Sequence, residues 1–275
     1  MKLKLIALTL ALAAAGQAHA AGTVDFTSGD GNLFLSVWDP VAQTSYSRDL
    51  GIDLNTFAPN ATLGATPTFN SQYETAGYTL NFTADATLQQ YLSSANTANL
   101  VWNIGAGDNQ GSGKNGYRFL STSSMGASTV AGEYNSQVKN FSNSNNVANA
   151  IATTLASAGT SSLTATGSDP FYAGNSYYAN NWDSQATGWV STAALGGNSN
   201  FVFLTPSSTS GLGKAVVHQF GYTDTQGNFE AATWTLANDG TLTHGVPAAP
   251  VPEPEPWAML GVGLGLLGLR LRRRA

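Results

Sequence analysis

The loop GAGDNQGSGKNG, residues 105–116, is the stretch most like a nucleotide-binding motif. Gly111-Ser112-Gly113-Lys114-Asn115-Gly116 fits G-x-G-x-x-G, in which glycines let backbone N–H groups approach a phosphate at a helix N-terminus. Its neighbours argue against that chemistry, because both flanks read as strands and no helix follows. A P-loop fails twice: Asn115 stands where Ser or Thr would reach magnesium, and Asp108 where the first glycine belongs. A loop between strands is the expectation. Ser136-Gln137-Val138-Lys139 fits S-x-x-K, which puts a lysine one helical turn from a serine nucleophile. No S-D-N or K-T-G partner follows it, and no G-x-S-x-G elbow occurs anywhere. His218 and His244 could supply two zinc ligands, but they sit in different strand candidates and no H-E-x-x-H pair exists. Asp25, Asp30, Asp39, Asp49 and Asp53 are dense enough to suggest calcium, yet they miss the EF-hand spacing and read more simply as turn residues. Two carboxylates that meet only in space can hydrolyse a glycosidic bond, and the sequence singles out no such pair. Tyr172, Tyr177, Tyr178, Trp182 and Trp189 lie among Asn, Ser and Gly in residues 171–189. Trp182 and Trp189 are candidates for sugar stacking; the alternative is that the cluster plugs an irregular loop region into the core.

Composition narrows the field. Of 11 Lys and Arg residues, six lie in the terminal segments, namely Lys2, Lys4, Arg270, Arg272, Arg273 and Arg274. Of 16 acidic residues, only Glu253 and Glu255 lie there, so residues 21–251 keep 5 bases against 14 acids, a net charge of −9. The five bases are scattered, which leaves no basic footprint for nucleic acid. The chain has no cysteine. Disulfides, thiolate metal sites and a cysteine nucleophile are therefore excluded. No cofactor and no metal is expected.

The elements that must position any site are mostly strands. A polar Ser/Thr/Asn/Gly-rich chain can be a disordered spacer, but aromatics recur throughout this one, which favours a folded body. Strand candidates are residues 33–38, 45–50 (pairing back on the first), 78–83, 100–105, 117–122, 201–205, 215–222 and 229–236. The last runs through the turn Ala237-Asn238-Asp239-Gly240 into residues 241–244, the clearest hairpin signal in the chain. In TADATLQQYLSS, Leu88, Tyr91 and Leu92 share a helical face, with Thr83 or Asp85 as cap. A second helix is expected over about residues 136–158, broken near Asn143, and residues 159–197 as long loops with short strands. The fold class is β-rich: a sandwich, or a mixed α+β fold with one or two helices on a mainly antiparallel sheet.

The two ends carry addresses. Residues 1–20 form a secretory signal: Lys2 and Lys4, an apolar run, then Ala18-His19-Ala20, with signal peptidase cutting before Ala21. Residues 21–246 are the exported domain, 247–256 a Pro/Glu linker, and 257–275 a transmembrane helix with an arginine-rich end. The thirteen uncharged residues from Trp257 to Leu269 cover only about 20 Å as a helix, against a hydrocarbon core of roughly 30 Å. Trp257 suits the interface, and Arg270 can snorkel. Arg272, Arg273 and Arg274 mark the cytoplasmic side. Gly261 and Gly265 form G-x-x-x-G, which permits close helix approach. The span is short, weakened by glycine and hinged by proline, so it suits a transient anchor better than a permanent one.

Val251-Pro252-Glu253-Pro254, then Trp257-Ala258-Met259-Leu260, Gly-Leu repeats and Arg272–Arg274 resemble the PEP-CTERM sorting signal of Gram-negative bacteria. Similar tails also go by the name of ice-binding protein C-terminal domain, but this body has no regular Thr-x-Thr array. Where the family usually has a small polar pair after PEP, this chain has Glu255-Pro256, which creates a second PEP at residues 254–256. The spacing to Trp-Ala-Met selects Pro252, Glu253 and Pro254 as the motif. The resemblance covers about the last 25 residues. It implies a single-span intermediate recognised by exosortase, cut near the PEP and released to the cell surface or extracellular matrix, in a setting of exopolysaccharide. The expected function is that of a non-enzymatic surface or matrix protein. The alternative is a secreted polysaccharide-binding module or hydrolase with the same tail.

Overall fold

A computed structural model of the chain describes residues 31–59, 68–108, 118–123, 154–155, 159–169, 172–173, 192–207 and 215–249. The signal sequence, the PEP motif, the apolar tail with its arginines, Trp182, Trp189, the S-x-x-K serine and nearly all of the helix expected over 136–158 lie outside these residues. Among the described residues, no helix is long and apolar enough to cross a membrane.

In chain order the elements are β1 (Asn32–Asp39), β2 (Thr44–Asp53), α1 (Leu54–Phe57), β3 (Thr79–Phe82), α2 (Ala86–Ser94), β4 (Val101–Asp108) and β5 (Arg118–Ser123). Then come β6 (Ser162–Thr166), β7 (Ala193–Ala194), β8 (Asn198–Pro206), β9 (Ala215–Gln219), β10 (Gly221–Thr223), β11 (Phe229–Ala231), β12 (Thr233–Leu236) and β13 (Leu242–Gly245). Eleven strands form one antiparallel sheet in the order β3-β13-β12-β8-β5-β4-β1-β2-β6, with β7 on β4 and β9 on β8; β10 and β11 form a separate ribbon. The body is β-rich as expected, with short helices on a curled antiparallel sheet.

Alternation explains which face is the core. Leu33, Leu35 and Val37 of β1 lie on one face, in register with Tyr46 of β2 and Trp102 and Ile104 of β4. That cluster continues through Leu120, Phe201 and Phe203 to Trp234 and Leu242, and the buried His244 ring packs beside Trp234. The β12–β13 end alternates buried and half-buried residues, as a sheet with one wet face does. In β1 and β5 every residue is buried, so these strands are covered on both faces. Part of that cover is the segment at Tyr172 and Ala173: the Tyr172 hydroxyl donates to the Asp39 carbonyl at 3.1 Å, and the Ala173 N–H to Ser45 Oγ at 3.0 Å.

The sheet curls until its ends meet. Beyond edge strand β3, the Asp85 carboxylate accepts from the Tyr46 hydroxyl of β2 at 2.9 Å, and the Thr83 carbonyl from Arg48 Nη1 at 2.8 Å. The Arg48 guanidinium lies over the Phe82 ring, 5.9 Å from its centroid. Helix α2 sits at this junction. Its N-cap is Asp85, which accepts from the Leu88 N–H at 2.8 Å, and Leu88 and Tyr91 are its buried residues.

Two expected strands turn out to be broken. Residues 215–222 divide into β9 and β10 at Phe220, where the chain passes from one partner to another: its ring is buried, its N–H makes the last bond to β8 at the Phe201 carbonyl, and its carbonyl accepts from the Ala232 N–H. Residues 229–236 divide into β11 and β12 at Ala232, whose N–H goes to the Phe220 carbonyl. Gly221 makes the bend: a Cβ there would stand 2.4 Å from the Glu230 carbonyl oxygen.

Candidate functional site

A cleft of about 640 Å³ opens between α2, the β1–β2 turn and β6. The turn is built by Asp39, whose Oδ1 accepts from the Val41 and Ala42 N–H groups at 2.8 and 2.9 Å. This is an Asx turn, the structural role expected of Asp39-Pro40. The residue is 1% exposed, and its second oxygen, Oδ2, is buried without a hydrogen-bond partner. Helix α2 lays Thr87, Gln90 and Ser94 along the cleft, spaced i, i+3, i+7. Asn96 and Asn99, at the ends of the turn that follows, add amides. Strand β6 supplies Thr164 and Thr166, and Asp169 follows it.

Tyr91 fixes the helix to the turn by donating its hydroxyl to the Thr44 carbonyl at 2.9 Å. Burial raises its pKa, so the phenol stays a neutral donor. Asp169 is held below the usual carboxylate range by the backbone N–H of Thr166 at 2.7 Å and its hydroxyl at 3.0 Å. A general acid requires the opposite shift. Among the described residues, no Lys, Arg or His lines the cleft. The lining therefore hydrogen-bonds through amides, hydroxyls and carboxylates, and it repels anions.

The other candidates do not assemble with it. His218 is stacked on Phe69 with centroids 3.7 Å apart, and its Nε2 lies 2.6 Å from Glu74 Oε1. His244 is fully buried among Phe57, Tyr73, Tyr78, Phe201 and Trp234, with Nε2 3.4 Å from the Tyr73 carbonyl. The two histidines thus have separate neighbours on β9 and β13. Among the described residues, no three His, Asp or Glu side chains are grouped to hold a metal. Asp49 accepts from Asn32 Nδ2 and the Gly51 N–H, and Asp53 caps α1 through the Thr56 N–H. Asp25 and Asp30 lie outside the described residues. Strands β4 and β5 pair antiparallel, Gly105 to Ser121 through Asp108 to Arg118. The glycine-rich motif itself lies outside the described residues, but β5, not a helix, follows it, which argues against the dinucleotide reading.

Of the aromatic cluster, Tyr172 is buried against β1, which is the core-plugging role. Tyr177, Tyr178, Trp182 and Trp189 lie outside the described residues, as do Ala18, Ala20 and Ala21. Sequence reasoning missed the cleft. The one available signal was the polar stripe of α2, opposite the apolar face that identifies the helix. No protein-family model matches the chain, and no curated protein and no solved structure matches it.

Proposed function

We propose that the chain is an exported, non-enzymatic cell-surface or matrix protein, addressed by its C-terminal tail to exosortase and set in an exopolysaccharide or biofilm layer. One observation carries this reading: Pro252-Glu253-Pro254, the short apolar run and Arg272–Arg274 follow in order at the end of a chain that begins with a secretory signal. The tail marks a route, and the acidic, cysteine-free β-rich body suits a scaffold outside the cytoplasm. The hydrogen-bonding cleft adds to this, since its lining suits contact with a neutral polar partner. The Gram-negative inner membrane is crossed once, with the C-terminus inside, until the tail is cut near residues 252–256.

The deciding experiment is mass spectrometry of the C-terminus in the native host, with and without exosortase. With the enzyme, surface-located chains should end near Pro254; without it, they should retain Arg274. Arg274 found intact in every surface-located molecule would sink the proposal.

A further inference from the structure

Strand β6 ends the described sheet, and Thr164 and Thr166 on it are exposed. Its ladder with β2 fixes which of its backbone groups face away. The Asp49 N–H donates to the Ser161 carbonyl at 2.9 Å, and hydrogen-bonded pairs recur at every second residue of an antiparallel ladder. Leu163 and Ala165 therefore bond to β2, while Ser162, Thr164 and Thr166 turn their N–H and carbonyl groups outward. An outward row of this kind is a template for another strand, and charge or proline within the strand is the usual protection. The sequence SLTAT has neither.

The protection sits at the two ends instead. Thr160 Oγ1 accepts from the Ser162 N–H at 3.3 Å and donates to the Ser162 carbonyl at 3.1 Å. Asp169 Oδ2 accepts from the Thr166 N–H at 2.7 Å, and the Asp169 N–H donates to the Thr166 carbonyl at 2.8 Å. Among the described residues, nothing bonds to the outward groups of Thr164. The cleft keeps α2 off this edge, since Thr164, Thr166 and Asp169 are among its lining. The three outward residues are symmetric about Thr164. A second β6 laid antiparallel would pair Ser162 with Thr166, Thr164 with Thr164 and Thr166 with Ser162, exchanging two bonds at each pair. No charge on either β6 opposes that contact. One five-residue edge covers far less than the roughly 1,000 Å² of a stable interface, so filling two of the three outward positions suffices to keep copies apart.

We propose that Thr160 and Asp169, by occupying Ser162 and Thr166, close the outer edge of β6 against strand addition by a second copy of this chain. The proposal goes beyond the sorting route and uses the body alone. The chain has no cysteine, so Thr164→Cys supplies a single reporter thiol. In a hydrogen-bonded pair the two Cα atoms stand about 5.5 Å apart, within disulfide range. The full-length chain in detergent is oxidised mildly and run on a non-reducing gel. With both guards in place, Thr164→Cys should stay monomeric. Adding Thr160→Val and Asp169→Ala should raise its disulfide-linked dimer roughly tenfold. Asp169→Asn keeps an acceptor for the Thr166 N–H and, with Thr160 intact, should leave the edge closed. Thr225→Cys, exposed on the β10–β11 turn, should gain no dimer from the same two guard substitutions. If the double substitution fails to fold by circular dichroism, Asp169→Ala alone decides. Equal dimer yields with and without the guards, an equal gain at Thr225→Cys, or opening by Asp169→Asn as large as by Asp169→Ala would each overturn the proposal. The tail is present in every sample, so contacts it makes cancel. Its processing is read separately at the C-terminus, so failure here leaves that result distinguishable.

Discussion

At the scale of residues, His244 ties the core to pH. Burial lowers its pKa to about 4, from an ordinary value near 6.5. The folded state therefore holds the imidazole neutral, while the unfolded chain takes up a proton below about pH 6.5. Its contribution is fully present above that pH. It is lost progressively down to about pH 4, below which this group changes nothing further. The loss amounts to about 3 kcal/mol across the window. His244→Phe keeps an aromatic ring among Phe57, Phe201 and Trp234 and removes the titration. Denaturant unfolding between pH 4 and 7 should show a shallower pH slope for the variant than for the wild type; parallel slopes would refute the assignment. Asp85 acts at two places through one carboxylate, capping α2 and accepting from Tyr46. Asp85→Ala should cost about 1 kcal/mol for the lost cap, and about 1–3 kcal/mol more for the orphaned, buried phenol. Tyr46→Phe in the same chain should recover much of the second part. Additive losses in a double-mutant cycle of urea melts would refute the coupling between Asp85 and Tyr46.

At the scale of elements, the β12–β13 hairpin and α2 were legible because each states its period and its boundary. Trp234 and Leu236 alternate with threonines, Asp239-Gly240 closes the loop, and Asp85 stands three residues before Leu88. The hairpin loop differs in one respect. Gly240 alone takes a positive φ, +82°, whereas a two-residue type I′ turn needs positive φ at both central residues. A Cβ at position 240 would also come within 2.9 Å of Ala84 and 3.0 Å of Leu92. Gly240→Ala should therefore destabilise through both backbone strain and the α2 contact, by about 1–3 kcal/mol in thermal melts; an unchanged melt would refute this. Strand β6 was not legible, because SLTAT carries neither a strong alternation nor turn brackets and is ordered by pairing with β2 from Thr44↔Thr166 to Arg48↔Ser162. The breaks at Phe220 and Ala232 were hidden too. Runs of strand-forming residues do not reveal that the chain will change pairing partner, from β8 to β11, part-way along a run. The cleft was illegible for a related reason: Asp39 and Thr164 meet through the pairing of β1, β2 and the unforeseen β6, and Gln90 of α2 joins them only through the curl of the sheet.

At the scale of the whole molecule, the body's fold and the proposed destination rest on separate stretches of sequence. The curl that joins β2 to the end of β3 closes the core within residues 31–249, while the proposed address lies in the termini. The absence of cysteine makes the address testable with a single reporter thiol. Val41, 77% exposed, is the control position on the body, and Ala275 reports the end of the tail. In spheroplasts of a host lacking exosortase, a membrane-impermeant maleimide should label Val41→Cys and spare Ala275→Cys until the membrane is permeabilised. On the proposed route, Arg270, Arg272, Arg273 and Arg274 hold the C-terminus inside, because a charge at the bilayer centre costs about 2.5–3.5 kcal/mol on insertion scales. The apolar run of only thirteen residues supplies little opposing anchorage. Replacing all four arginines with glutamine should let the tail slip outward, so that Ala275→Cys becomes labelled in intact spheroplasts. Labelling of Ala275→Cys with the arginines in place would place the C-terminus outside and remove the inside-positive stop from the route.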